Sequence, residues 1–207
     1  MGEQFARLFI DRSSEPRETR TRVLARGLWL KTARCGTDVV RSPQPWCPPA
    51  LGAWLQARLL SGAERFGGYL PVPPMRTVIG SDGQILLQPY LADATPLRQL
   101  TAVQLADPLV LHSLQQFWRA VAHGWQRIGW LPDIGGRVFL PWELYRPLQT
   151  DNVLIDGTGA CWLVDVGATA TFHSARSPVG RLHATLMLRA IRQCARRLDD
   201  SRQERVP

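Results

Sequence analysis

Two side chains thirteen residues apart carry the most chemical information in the sequence. Asn152 and Asp165 open and close the stretch Asn152-Val-Leu-Ile-Asp-Gly-Thr-Gly-Ala-Cys-Trp-Leu-Val-Asp165. Asp156-Gly-Thr-Gly159 lies between the apolar runs 152–155 and 161–164, which predicts a β-hairpin with an Asp-Gly turn. The two ends of an antiparallel hairpin are neighbours, so a carboxamide and a carboxylate are expected side by side at its open end. Hard oxygen donors of this kind suit Mg²⁺, which takes one or two carboxylates and completes its shell with water and phosphate oxygens. Gly167 lets the chain turn away and leaves the Asp165 carboxylate accessible.

A third residue stands out by its rarity. Of the 25 basic side chains 24 are Arg, and the only lysine is Lys31. Codon drift in a GC-rich genome accounts for the bias. An ammonium is a compact point charge with a reach that a planar guanidinium does not copy, so the exception merits a role. The net charge of +8 favours anionic partners of any kind, including nucleotide, nucleic acid and phospholipid, without choosing among them. Much of it lies late in the chain, in Arg189, Arg192, Arg196, Arg197, Arg202 and Arg205.

The elements that must position these residues are legible in outline. Phe5-Ala-Arg-Leu-Phe-Ile10 and the stretch Arg22 to Lys31, with Gly27 as a bulge, read as strands, so that Lys31 ends a strand. A helix is predicted from Pro49 to Phe66, ended by Gly67-Gly68, with Leu51, Leu55, Leu59 and Phe66 on one face and Trp54 beside them. Met75–Ile79 and Ile85–Leu91 flank a second hairpin turn, Gly80-Ser-Asp-Gly83. A helix over 107–128 carries Leu109, His112, Leu114, Phe117, Val121 and Trp125 as its apolar stripe. The last helix, 179–198, is read with Val179, Leu182, Leu186, Ile191, Cys194 and Leu198 inward and its arginines outward. His112 and His123 share a face of their helix and read as core or boundary residues.

In this order of elements the segment Asn152-Val-Leu-Ile, followed by Asp165-Val-Gly167, resembles the second half of the active site of the protein-kinase-like superfamily, which includes aminoglycoside and other small-molecule phosphotransferases. The resemblance covers roughly residues 20–170. It implies an α+β, two-lobe kinase-like fold, with a β-rich lobe over 1–91 and a shortened helical lobe over 92–207 that contains the 150–167 hairpin. It implies ATP and Mg²⁺ as cofactors, with Asn152 and Asp165 as metal ligands and Lys31 on the nucleotide phosphates. The strand Leu86-Leu-Gln88-Pro-Tyr90-Leu91 is similar to the hinge strand that meets adenine, which marks Gln88 and Tyr90 as nucleotide-binding. The acceptor is then a hydroxyl of a small molecule or protein. In its shortness the chain also resembles small bacterial kinase-like proteins of the PhoP-regulatory-network type.

The pattern has departures. The family's catalytic aspartate sits five residues before the Asn, and that place holds Pro147. Asp133, in Trp130-Leu-Pro-Asp-Ile134, stands where the catalytic loop begins and is the replacement base, with 135–150 as an insertion; a turn after Pro132 explains the same residue without chemistry. No G-x-G-x-x-G precedes Lys31, and the Ser13–Arg17 turn covers phosphates only loosely. Glu64 is the one acid in helix 49–66 and faces away from its stripe, while Gln56 is placed to meet Lys31 as a neutral substitute. These departures keep a second reading open, a pseudokinase-like regulatory or binding protein. Nucleic-acid binding through the last helix rests on charge alone.

Other chemistries have less support. The four cysteines form no C-x-x-C pair and the four histidines add no zinc spacing. No Ser-His-Asp order with a nucleophile elbow is present. No apolar run approaches a membrane span and the N-terminus lacks a signal-peptide core, so a cytoplasmic location is expected.

Overall fold

A computed structural model describes residues 22–26, 30–80, 83–134, 150–166 and 174–203. The predicted strand Phe5–Ile10, the Ser13–Arg17 turn, the Gly27 bulge, Ser81 and Asp82 of the second hairpin turn, Pro147 and Gly167 lie outside them. The chain divides into two units: residues up to Ser61 with Pro74–Tyr90, and Gly62–Pro73 with Leu91 onward.

The first unit is an antiparallel sheet of β1 (Arg22–Arg26), β2 (Leu30–Cys35), β3 (Asp38–Pro43), β4 (Arg76–Gly80) and β5 (Gly83–Pro89), in the order β1-β2-β3-β5-β4. The stretch 22–31, read above as one strand, is split between β1 and the start of β2, which pair with Arg26 opposite Lys31. Lys31 is therefore the second residue of β2 and does not end a strand. A strand missing from the sequence reading, β3, follows the turn at Gly36, whose φ of 62° favours glycine. Helix α1 (Pro49–Gly67) starts in this unit. Gly52 brings it onto β3, where an added Cβ would stand 2.8 Å from Pro43 Cγ. Four residues on, buried Gln56 donates its carboxamide N–H to the Gln84 carbonyl of β5 at 2.7 Å. Trp54 of the same helix is exposed, with the Arg58 guanidinium over its ring at 5.4 Å.

The second unit holds the last turns of α1, from Gly62. Its sheet orders β6 (Thr95–Pro96), β7 (Val153–Ile155) and β8 (Cys161–Leu163) as β6-β7-β8. Three helices follow the same division: α2 (Ala102–Leu105), α3 (Pro108–Ile128) and α4 (Pro178–Gln203). Asp107 starts α3 by accepting the Leu109 and Val110 N–H groups, Pro108 occupies its first turn, and Gly129 ends it with φ 65°. Leu114, Phe117, Trp118 and Val121 of α3 are buried, as are Leu131, Ile134, Val153, Leu163 and Met187. At α3 Gly124 an added Cβ would fall within the Tyr69 ring, 1.9 Å from Cε2, so the glycine is the seat for that ring.

Two apolar stripes differ from those read above. On α3, Leu109 is exposed and so is His112, whose imidazole bonds Gln116 at 2.7 Å; His123 is exposed as well. The inward side is centred on 110, 114, 117, 121 and 124 instead. On α4, where Cys194 and Leu198 lie outside the described side chains, the buried residues among those described are Gly180, Ala184, Met187 and Ile191, while Val179, Leu182 and Leu186 are exposed. The reason is backbone proximity: a Cβ on Gly180 would lie 1.9 Å from the Ser174 carbonyl oxygen. That contact admits only a glycine at 180, and Ala184, Met187 and Ile191 continue the same face.

Candidate functional site

Asp133, Asn152 and Asp165 all belong to the second unit. The hairpin forms around Asp156 as its turn residues predict. One carboxylate oxygen accepts from Thr158 N, Thr158 Oγ1 and Ala160 N at 2.8, 2.6 and 3.0 Å, and the other accepts from Trp162 Nε1 at 2.8 Å. Partial burial alone would raise the Asp156 pKa. The Thr158, Trp162 and Ala160 hydrogen bonds outweigh it and hold the carboxyl below its usual range. Gly159, with φ 82°, completes the turn.

This turn sets the register of everything beyond it. Ile155 pairs with Cys161 and Val153 with Leu163. The Val164 N–H then donates to the Asn152 carbonyl at 2.9 Å, so Asn152 lies across from Val164. Asp165 is the next residue along. The two candidate metal ligands are thus at the hairpin's open end, one step out of register with each other.

Thr150, fully inside the unit, accepts the Asn152 backbone N–H on its hydroxyl at 3.0 Å. The Asn152 side chain reaches back across the sequence, and its Nδ2 donates to the backbone carbonyl of Asp133 at 2.7 Å. A carbonyl only accepts, so this contact also fixes which end of the amide is nitrogen. Oδ1 is left as the atom suited to a cation. Buried Leu131, Pro132 and Ile134 anchor the backbone around Asp133, whose own side chain is exposed. Asp151 pairs with Arg98 and so turns away from its neighbour Asn152.

Gly62, which the sequence reading passed over, bears on the same place. A Cβ on it would stand 2.2 Å from the Val166 carbonyl oxygen. The last turns of α1 therefore lie directly on the backbone that follows Asp165. The only advance sign was a glycine inside an otherwise regular helix. Arg65, one turn on, stacks over the Trp130 ring at 4.0 Å.

Cys161 sits nearby without being a nucleophile. Burial pushes its thiol up to about 12, with the Asp156 carboxylate adding to the effect. Among the described residues no group of three or more His, Cys, Asp or Glu side chains is arranged for a metal. A site of the Mg²⁺ type needs fewer protein ligands, and the oxygens of Asn152 and half-buried Asp165 are of the right chemical kind.

The first unit carries Lys31, Gln88 and Tyr90. Strand pairing places Lys31 opposite Ser42, Ala33 opposite Val40 and Val40 opposite Leu87, a set sharing one sheet face. Gln88 is opposite Val39, which is opposite Arg34, so Gln88 belongs to the other face. The sheet thus separates the Lys31 and Gln88 side chains. Gln88 is 4% exposed and its Oε1 has no hydrogen-bond partner. Tyr90 donates its backbone N–H to the Thr37 carbonyl at 2.8 Å and receives the Arg34 guanidinium over its ring at 4.0 Å. Both roles read for Gln88 and Tyr90 thus come from a strand end that is firmly tied to β3 and its turn. Gln56, read as a neutral partner for Lys31, instead commits its donor to β5. Glu64 is exposed, as its place on the helix predicts.

Among the described residues no helix is long and apolar enough to cross a membrane. No protein-family model and no curated protein sequence matches the chain.

Proposed function

We propose that the chain is a kinase-like phosphotransferase that moves the γ-phosphoryl group of ATP to a hydroxyl of a small molecule or protein. The observation that carries this reading is the 2.7 Å hydrogen bond from Asn152 Nδ2 to the Asp133 carbonyl. It ties the backbone of Asp133, the residue that the sequence nominates as base, to the side chain of Asn152, read as a metal ligand, across nineteen positions. In this reading Lys31 holds nucleotide phosphates, and Gln88 and Tyr90 belong to the strand that meets adenine. Asn152 and Asp165 hold Mg²⁺, which when bound neutralises phosphate charge. The acceptor oxygen bonds to the γ-phosphorus, its proton passes to Asp133, and ADP departs with the bonding pair. Positioning and charge neutralisation supply most of the acceleration.

A second reading, nucleotide binding or partner binding without catalysis, is favoured by α1. Its one carboxylate, Glu64, is exposed, and Gln56 is tied to the Gln84 carbonyl. Thermal shift with millimolar Mg·ATP separates these readings from neither. Stabilisation of the wild type that is lost in Lys31→Ala and Asp165→Ala is the expected result, and no shift in the wild type removes the nucleotide site. Turnover in Asp133→Asn then decides: activity lost with binding kept supports the enzyme, and unchanged turnover removes Asp133 as base.

A further inference from the structure

The outward side of α4 has two adjoining stripes of different character. Buried Gly180, Ala184, Met187 and Ile191 mark the inward direction. Val179, Leu182 and Leu186, at i, i+3 and i+7, form one outward stripe and are 48%, 62% and 38% exposed. At about 100° per residue, Arg181, Arg192, Arg196 and Arg189 fall in sequence on the strip beside it. All four are exposed. Arg181 donates to the Ala175 carbonyl at 3.1 Å, and none of the four forms an ion pair with a described carboxylate. From Pro178 to Leu198 the sequence contains five arginines and no acid.

We propose that this face docks an acidic amphipathic helix of a partner protein. Three aliphatic side chains at helical spacing fit the apolar anchors of a second helix, and the neighbouring arginine strip fits a row of carboxylates. Charge decides against the alternatives. A second copy of α4 would set arginine strip against arginine strip. A nucleic acid would use the arginines and leave Leu182 and Leu186 in water. A helix lying on lipid carries an apolar face along its length, whereas here the exposed apolar stripe ends at Leu186 and the inward side is buried in the protein's own core. The apolar stripe spans only about 10 Å, at roughly 1.5 Å per residue, so the anchors locate the partner and the charges draw it in.

The test uses the full chain and a fluorescein-labelled synthetic helix with Leu at i, i+3 and i+7 and Glu along the adjoining strip. Anisotropy is expected to show saturable binding that added salt weakens. Leu182→Ser with Leu186→Ser, and separately Arg189→Glu with Arg192→Glu, are expected to weaken it about tenfold or more. All four positions are exposed, and circular dichroism checks that the fold is kept. A peptide with Lys in place of Glu should then prefer the charge-reversed variant. Equal binding of a scrambled peptide, unchanged binding in either double variant, or no binding by the wild type overturns the proposal. So does sedimentation with phosphatidylcholine–phosphatidylglycerol vesicles that needs Leu182 and Leu186 while the peptide stays unbound, which would make lipid the occupant.

Discussion

Asn152 makes a contact that only an amide of its length can make. Its nitrogen faces the Asp133 carbonyl at 2.7 Å, and its oxygen stays available. Asn152→Asp would put an oxygen against that carbonyl. Loss of the bond with a repulsive replacement is expected to cost about 1–3 kcal/mol in urea unfolding at neutral pH, with part of it regained once the new carboxyl is protonated. Asp156 gives the complementary case. Its folded pKa lies below the ordinary value because four hydrogen bonds favour the charged form over the effect of burial. A depressed carboxylate contributes stability that is complete above its unfolded pKa, about 4, and is lost as pH falls through the lower folded value. Asp156→Asn is therefore expected to be less stable than wild type at pH 7 and to close much of that gap at pH 3, as read by urea midpoints. Equal gaps at both pH values would show that the turn does not depend on the charge.

The helices illustrate what a sequence displays and what it hides. Asp107-Pro108 and Gly129 announce the ends of α3 because caps are local chemistry, and the Asp156-Gly turn announces its hairpin for the same reason. The inward face of α4 was hidden because apolar size is a poor guide when backbones touch. Gly180 lies against the Ser174 carbonyl, where no side chain fits, and Ala184 is buried one turn on. β3 was hidden because Asp38-Val-Val-Arg-Ser-Pro43 has little alternation and ends in proline. The register that offsets Asn152 from Asp165 depends on the number of turn residues that stay unpaired, which hydrogen bonds to Asp156 decide. Close approach also makes a sharp comparison possible within α1. Gly62→Ala drives a methyl toward the Val166 carbonyl, whereas a Cβ on Gly67 meets nothing within 4 Å. Gly62→Ala is expected to lose about 1–3 kcal/mol, and Gly67→Ala to stay near neutral. Comparable effects at both sites in denaturant unfolding would mean that helix propensity, not contact, governs them.

At the scale of the molecule, sequence order and structural membership part company. Gly62–Pro73 precedes β4 and β5 but belongs with Leu91 onward. It brings Tyr69 onto Gly124 and the Pro71 carbonyl to the Leu163 N–H at 2.9 Å, while Arg65 on the last turn of α1 covers Trp130. The fragment 91–207 lacks all three contacts. It is expected to melt without a sharp transition, and a cooperative calorimetric peak near that of the full chain would show those contacts to be dispensable. Composition foretold none of this, because a segment's partners are set by which side chains seat in which glycine gaps. The +8 charge, uninformative as a sum, becomes specific once α4 is seen to carry arginines on one exposed strip.

The clasp between Asn152 and the Asp133 carbonyl has a consequence for descent. It ties two distant points of the chain into a closed ring whose cost grows only as the logarithm of the length enclosed. Opening that single contact releases both points together, so in descent neither Asn152 nor the backbone at Asp133 is free to shift without the other.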